Sequence, residues 1–238
     1  MNILFRFFKS IKLAIILILI ITGLSLLSTL IPQNMGNSYY LSHYSDFLAK
    51  IIIGLRIYRF FSSWIFLIPA LIFFLNLLTC TLYRFIRELG KKDKRRFGPD
   101  LLHTGLLVLL IGGVLTFSGR MEGYVNLREG ERIQLPGGYV LILEDFEFLT
   151  YENGTPKDWI STVDIMLDGK MIFDSYPIEV NKPLKVGEIS IYQHSYTAEG
   201  SSVLQAVTDP GFVPVLIGLI LLAAGLFLTY YQKLRDSQ

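Results

Sequence analysis

Four apolar spans, with a long hydrophilic interval between the last two, predict a polytopic α-helical membrane protein with four transmembrane helices and an extracytoplasmic β-rich domain. Three observations carry this expectation. Hydrophobic residues make up 52% of the 238 residues, more than a soluble domain usually holds. The apolar stretches Leu13–Ile31, Ser63–Tyr83, Leu101–Ser118 and Val213–Tyr231 are each 18 to 21 residues long. At ~1.5 Å per residue, about 20 residues cross a hydrocarbon core of ~30 Å. Finally, the interval from 119 to 209 changes character and alternates apolar with polar residues. The predicted division is therefore 1–118 as a membrane region with three spans, 119–209 as the β-domain, and 210–238 as the fourth span with a tail.

The first span follows Arg6, Lys9 and Lys12, as a secretion signal would. Its 19 apolar residues exceed the ~7–15 of a cleavable segment, and Leu30-Ile31-Pro32-Gln33 offers no small-x-small cleavage site, so the span is expected to be retained. Between spans two and three lie Arg84, Arg87, Lys91, Lys92, Lys94, Arg95 and Arg96, against Glu88, Asp93 and Asp100. This excess of Lys and Arg in a short loop predicts a cytoplasmic location. With four spans, both termini then fall in the cytoplasm. The interval from 119 to 208 carries 7 basic and 14 acidic residues and is expected on the opposite side. The net charge of +2 reflects this split, and it calls for no nucleic-acid partner.

Between the first two spans, Leu48–Leu55 has the pattern of a short surface helix, with Trp64 as an interfacial anchor. His43 precedes it and reads as a solvated loop residue. In the β-domain, Tyr139–Phe148 and Ile160–Leu167 alternate as strands do. Asp168-Gly169 before Lys170–Phe173 is a type I′ hairpin signal. A further strand, Ile189–Tyr196, places Tyr192, His194 and Tyr196 on one face, which could be a binding surface or a half-buried strand face.

Chemistry-bearing residues are sparse. The chain has no nucleophile elbow, no Gly-rich phosphate loop and no H-E-x-x-H. Its one cysteine, Cys80, excludes an internal disulfide or thiol pair and reads as a small packed residue within span two. The outstanding residue is His103. An ionisable group inside an apolar span is costly to keep and points to function, and imidazole is a common ligand of metals and haem iron. The competing reading is a histidine that merely faces the headgroups or hydrogen-bonds a neighbour.

These segments together resemble the ResB (CcsB) family of cytochrome c biogenesis proteins. Lys12–Leu17 with Ser28-Thr-Leu-Ile-Pro-Gln33 is similar to the family's first membrane segment. Ser63-Trp64 with Leu75-Asn76-Leu-Leu-Thr-Cys80-Thr-Leu-Tyr-Arg84 resembles the second, and His103-Thr-Gly with Ile111-Gly-Gly113 the third. Val180–Leu184 and Ile191–Tyr196 are similar to parts of its external domain, which is larger in many members. The resemblance implies a subunit of a System II cytochrome c synthase in a bacterial cytoplasmic membrane. Such a subunit moves haem b across the membrane with a CcsA-type partner and supports its covalent attachment to apocytochrome c. His103 matches the family's transmembrane haem ligand and would bind the haem iron. Only Trp64 and Trp159 are present, so the partner is expected to supply the Trp-rich haem motif and the second ligand, and this chain is not expected to be an enzyme alone. The alternatives are a non-catalytic scaffold that binds apocytochrome c, or an unrelated small-solute transporter or sensor.

Overall fold

A computed structural model describes residues 3–92, 95–197 and 199–236. It divides into a helical unit, residues 1–111 with 214–238, and a β unit, residues 112–213.

Four helices of the described residues are long and apolar enough to cross a membrane: α2 (Ile11–Ser28), α5 (Trp64–Leu89), α6 (Gly98–Gly119) and α7 (Phe212–Asp236). They differ from the sequence expectation mainly at their ends. α5 runs past Tyr83 to Leu89, and α6 begins at Gly98 rather than Leu101. Apolar windows stop at the first charge, whereas a helix continues through Arg and Glu whose stems lie along it. α2 is preceded by a separate short helix, α1 (Ile3–Phe8), and Ser10 caps α2 by accepting from Leu13 N at 3.4 Å. The Phe8 carbonyl freed at that break is claimed by Asn76 of α5, whose Nδ2 donates to Phe8 O at 2.7 Å and also to Ser10 O at 3.0 Å, which accepts from Ala14 N as well. Cys80, one turn further on, is half-buried, and its Sγ approaches the same Phe8 carbonyl at 3.7 Å.

The other end of α2 is closed by Gln33. Its Nε2 donates to Ser28 O at 3.1 Å and Ile31 O at 2.9 Å, while its Oε1 accepts from Phe60 N at 3.1 Å. The segment after it forms α3 (Asn37–His43), α4 (Asp46–Gly54) and a 3-10 turn at Ile57–Ser62. These pack around Tyr40, which is fully buried and donates its hydroxyl to Pro32 O at 2.6 Å.

α6 and α7 run antiparallel at very short range. Gly98, Gly105 and Gly112 recur every seven residues on α6, and the same spacing runs from Gly211, just before α7, to Gly218 and Gly225 on it. A Cβ at Gly105 would come within 2.7 Å of Leu222 N, one at Gly218 within 2.7 Å of Leu109 N, and one at Gly225 within 2.5 Å of Leu102 N. Glycine is required here because backbone meets backbone. Gln232 of α7 closes the pair by accepting from Gly98 N at 3.4 Å, which satisfies one of the open N–H groups of the first turn of α6.

The β unit is an antiparallel sandwich. One sheet has the order β1-β8-β7-β6 and the other β2-β3-β4-β5. Their ranges are β1 Met121–Leu127, β2 Arg132–Gln134, β3 Tyr139–Thr150, β4 Pro156–Leu167, β5 Lys170–Ile178, β6 Leu184–Val186, β7 Ile189–Tyr196 and β8 Ser202–Thr208. Leu141 and Leu143 (β3), Val163 and Ile165 (β4), Ile191 (β7) and Leu204 (β8) interdigitate in a single core. The hairpin at Asp168-Gly169 has positive φ at both residues, 50° and 74°, as a type I′ turn demands. The two sheets are also stitched by a buried polar knot. Ser161 Oγ donates to Gln193 Oε1 at 2.5 Å, and Gln193 Nε2 donates to Ser202 Oγ at 3.1 Å. The knot lies where β7 bulges between Gln193 and Ser195.

Candidate functional site

The site begins with the sequence between α5 and α6. Arg84 and Glu88, one turn apart on α5, hold the connecting segment by its two faces at Arg96. Glu88 Oε2 accepts from Arg96 N at 3.1 Å, and Arg84 Nη2 donates to Arg96 O at 2.8 Å. Glu88 is buried and is further paired with Lys91 Nζ at 2.6 Å. Arg84 Nε donates to Asp100 Oδ1 at 3.0 Å, so this ion pair joins α5 to the first turn of α6. Asp100 is therefore a helical residue, 3% exposed, and not part of the loop in which the charge count placed it. The negative charge also suits the N-terminal turn of α6, where the helix dipole favours it.

His103 lies one turn beyond Asp100 on the same face, because residues three apart are neighbours on a helix. It is half-buried, and both Arg84 and Asp100 lie within electrostatic reach of its ring. Among the described residues, three buried polar side-chain atoms have no hydrogen-bond partner: Asp100 Oδ2, His103 Nδ1 and Trp159 Nε1. More than nine in ten buried polar groups in proteins are satisfied, so two of these three falling within one helical turn mark the place.

The other two histidines have ordinary surroundings. His43 ends helix α3 and does not lie in an open loop. Its Nδ1 is 2.9 Å from Tyr39 O and 2.9 Å from Ser42 Oγ, and its ring stacks on Tyr39 at 4.1 Å. His194 is exposed on β7 and meets Tyr124 edge-on at 4.8 Å. Tyr192 and Tyr196 share that exposed face, as alternation predicts, but Tyr196 turns to Phe148 (4.7 Å) and Trp159 (5.4 Å). No group of three or more His, Cys, Asp or Glu that could hold a metal ion occurs among the described residues.

Sequence reasoning singled out His103 and passed over Arg84, Glu88 and Asp100 as loop charge. The signal that could have found them is position: acids flanking an apolar helix, each within a turn of a basic residue, are candidates for buried pairs.

The architecture is thus a helical protein whose last two apolar helices bracket an antiparallel β-sandwich, with a polar cluster around one histidine at the start of α6. The chain belongs to the ResB-like family, whose model matches residues 11–92 and 89–203. It is 25% identical to cytochrome c biogenesis protein ResB of Bacillus subtilis, over 80% of this chain and 53% of that protein. It is 24% identical to cytochrome c biogenesis protein Ccs1 of Porphyra purpurea, over 80% of this chain and 60% of that one. The chain spans a little over half the length of these relatives. Among solved structures it is similar to the cytochrome c haem lyase CcmF, with a TM-score of 0.48 and 16% identity, covering 91% of this chain and 38% of CcmF.

Proposed function

We propose that this chain is a subunit of a System II cytochrome c synthase complex, that haem b is the substrate it passes across the membrane, and that His103 is a ligand to the haem iron in transit. The observation that carries the reading is His103 itself: a histidine inside an apolar helix, its Nδ1 enclosed and unpartnered, beside a buried Asp100 paired with Arg84. With Nδ1 enclosed, Nε2 is the nitrogen left to donate its lone pair to iron, and a dry helical setting limits competition from water. Membership of the ResB-like family and relatives named for cytochrome c biogenesis support the same reading.

In this reading residues 1–118 form the membrane region, 119–209 the β-domain and 210–238 the fourth helix with its tail. The chain sits in a bacterial cytoplasmic membrane with both termini in the cytoplasm, placing the β-domain on the outer face with apocytochrome c. The basic residues between Arg84 and Arg96 set that orientation. A CcsA-type membrane partner provides the second axial ligand and the Trp-rich surface, so the pair, and not this chain by itself, performs the attachment. The Arg84–Asp100 pair fixes the start of α6 and so holds His103 at the cytoplasmic end, where haem enters.

Two measurements test this. His103→Gly in the complex should leave assembly intact, because one side chain contributes little to four helices, and should remove most of the co-purified haem seen by absorption. Full haem content in that variant would reject the ligand role and favour a scaffold that presents apocytochrome c. For the topology, a reporter active only outside the membrane should be active when fused after Thr150 and silent after Lys92. The reverse pattern would overturn the orientation.

A further inference from the structure

We propose that Asp100 is a positioning residue for His103: its free carboxylate oxygen, Oδ2, accepts a hydrogen bond from His103 Nδ1–H when the imidazole takes a ligand on Nε2. The inference rests on the His103 reading above and deepens it. Asp100 Oδ2 and His103 Nδ1 are both buried and both without a partner, on residues three apart in one helix. One is an acceptor and the other a donor in the Nδ1–H tautomer. A buried donor or acceptor left unmatched carries its full desolvation penalty, and pairing the two removes both penalties.

The rest of the cluster prepares Asp100 for this role. Arg84 uses only Nε on the carboxylate, through Oδ1, and commits Nη2 to Arg96 O. An arginine facing a carboxylate commonly binds both oxygens with a two-pronged fork. Here the fork is turned so that the second oxygen is left over, and the carboxylate is held in place without being used up. Thr104, the residue after His103, donates its hydroxyl to the Asp100 carbonyl at 2.8 Å and does not compete for Oδ2. An imidazole that donates its far N–H to a carboxylate is fixed in tautomer and ring orientation and is a stronger base toward a metal. Losing such an outer partner typically costs 10–100-fold in metal affinity.

The test uses the full-length chain in its membrane complex, with His103→Gly to open the ligand position and haem (iron protoporphyrin IX) as probe. Three free bases are titrated and haem occupancy is read from the absorption spectrum: imidazole, 4-methylimidazole and 1-methylimidazole. The first two can ligate iron and still donate an N–H to Asp100. The third can ligate but has no N–H, and 4-methylimidazole controls for the added methyl group. Imidazole and 4-methylimidazole are expected to restore haem at about tenfold lower concentration than 1-methylimidazole. That advantage should disappear when Asp100→Leu is added. Equal restoration by all three bases, or an advantage that survives Asp100→Leu, overturns the role of Asp100 while leaving His103 as ligand. Restoration by none of them overturns the His103 reading and this inference with it. In the otherwise native complex, Asp100→Asn should weaken haem retention by about tenfold with His103 unchanged, and unchanged retention counts against the proposal.

Discussion

The two units of this chain differ in the share of polar groups they bury. In the β unit the enclosed side chains are chiefly apolar, with Leu141, Leu143, Val163, Ile165 and Leu204 all at 1% exposure or less. In the helical unit the enclosed set includes Ser28, Ser63, Asn76, Thr81, Glu88, Asp100 and Gln232, while Ile15, Leu19, Leu71, Ile86, Leu219 and Phe227 face outward. The sandwich folds by taking apolar surface away from water. The helices have no such incentive toward one another if lipid surrounds them, so small residues and polar caps decide where they touch. The comparison teaches that hydrophobicity locates the helices but does not pair them.

The sharpest way to break the comparison is at the glycines. Gly218→Leu should abolish close approach of α6 and α7 and leave little intact chain in the membrane, since its side chain would strike the backbone at Leu109 and Gly105. Gly113→Leu, on the same pair of helices but with open space at its Cβ, should accumulate normally. Equal loss in both variants, judged by protease resistance in detergent, would mean that helix propensity and not contact is responsible. A smaller effect is expected in the sandwich. Leu143→Ala should destabilise the β unit by about 2–5 kcal/mol, read as faster amide exchange in β3 and β4. Smaller again, Asn76→Leu should cost about 1–3 kcal/mol by stranding the Phe8 carbonyl, since Ser10 O keeps its bond from Ala14 N. A lowered melting temperature in detergent checks it, and no change would show that this carbonyl finds water.

The same contrast explains what could be read from sequence. The four long helices, the strands β3, β4, β5 and β7 and the Asp168-Gly169 turn were legible because each leaves a local pattern: length, alternation or a dipeptide. So was His103, as an ionisable residue in an apolar run. The Ser10 break between α1 and α2 was not, because Lys9 and Ser10 look like ordinary flanking residues until Asn76, 66 residues further on, is brought to them. Asp100 was read as loop charge because burial is a property of the pairing with Arg84, which no window of sequence contains. The seven-residue glycine rhythm was visible in both helices, but its meaning depends on their facing each other.

β1 and β8 are the first and last strands of the sandwich, and they are paired along their whole length, from Met121 with Thr208 to Leu127 with Ser202. In polymer terms the ring is already closed at its base. Chain added at a distal turn such as Asn153-Gly154 enlarges a loop whose ends are tied, and the entropic cost of that enlargement grows only with the logarithm of its length. The connection from α6 to α7 is therefore free to vary in size, by whole strands if need be, while the register of the helix pair stays as it is.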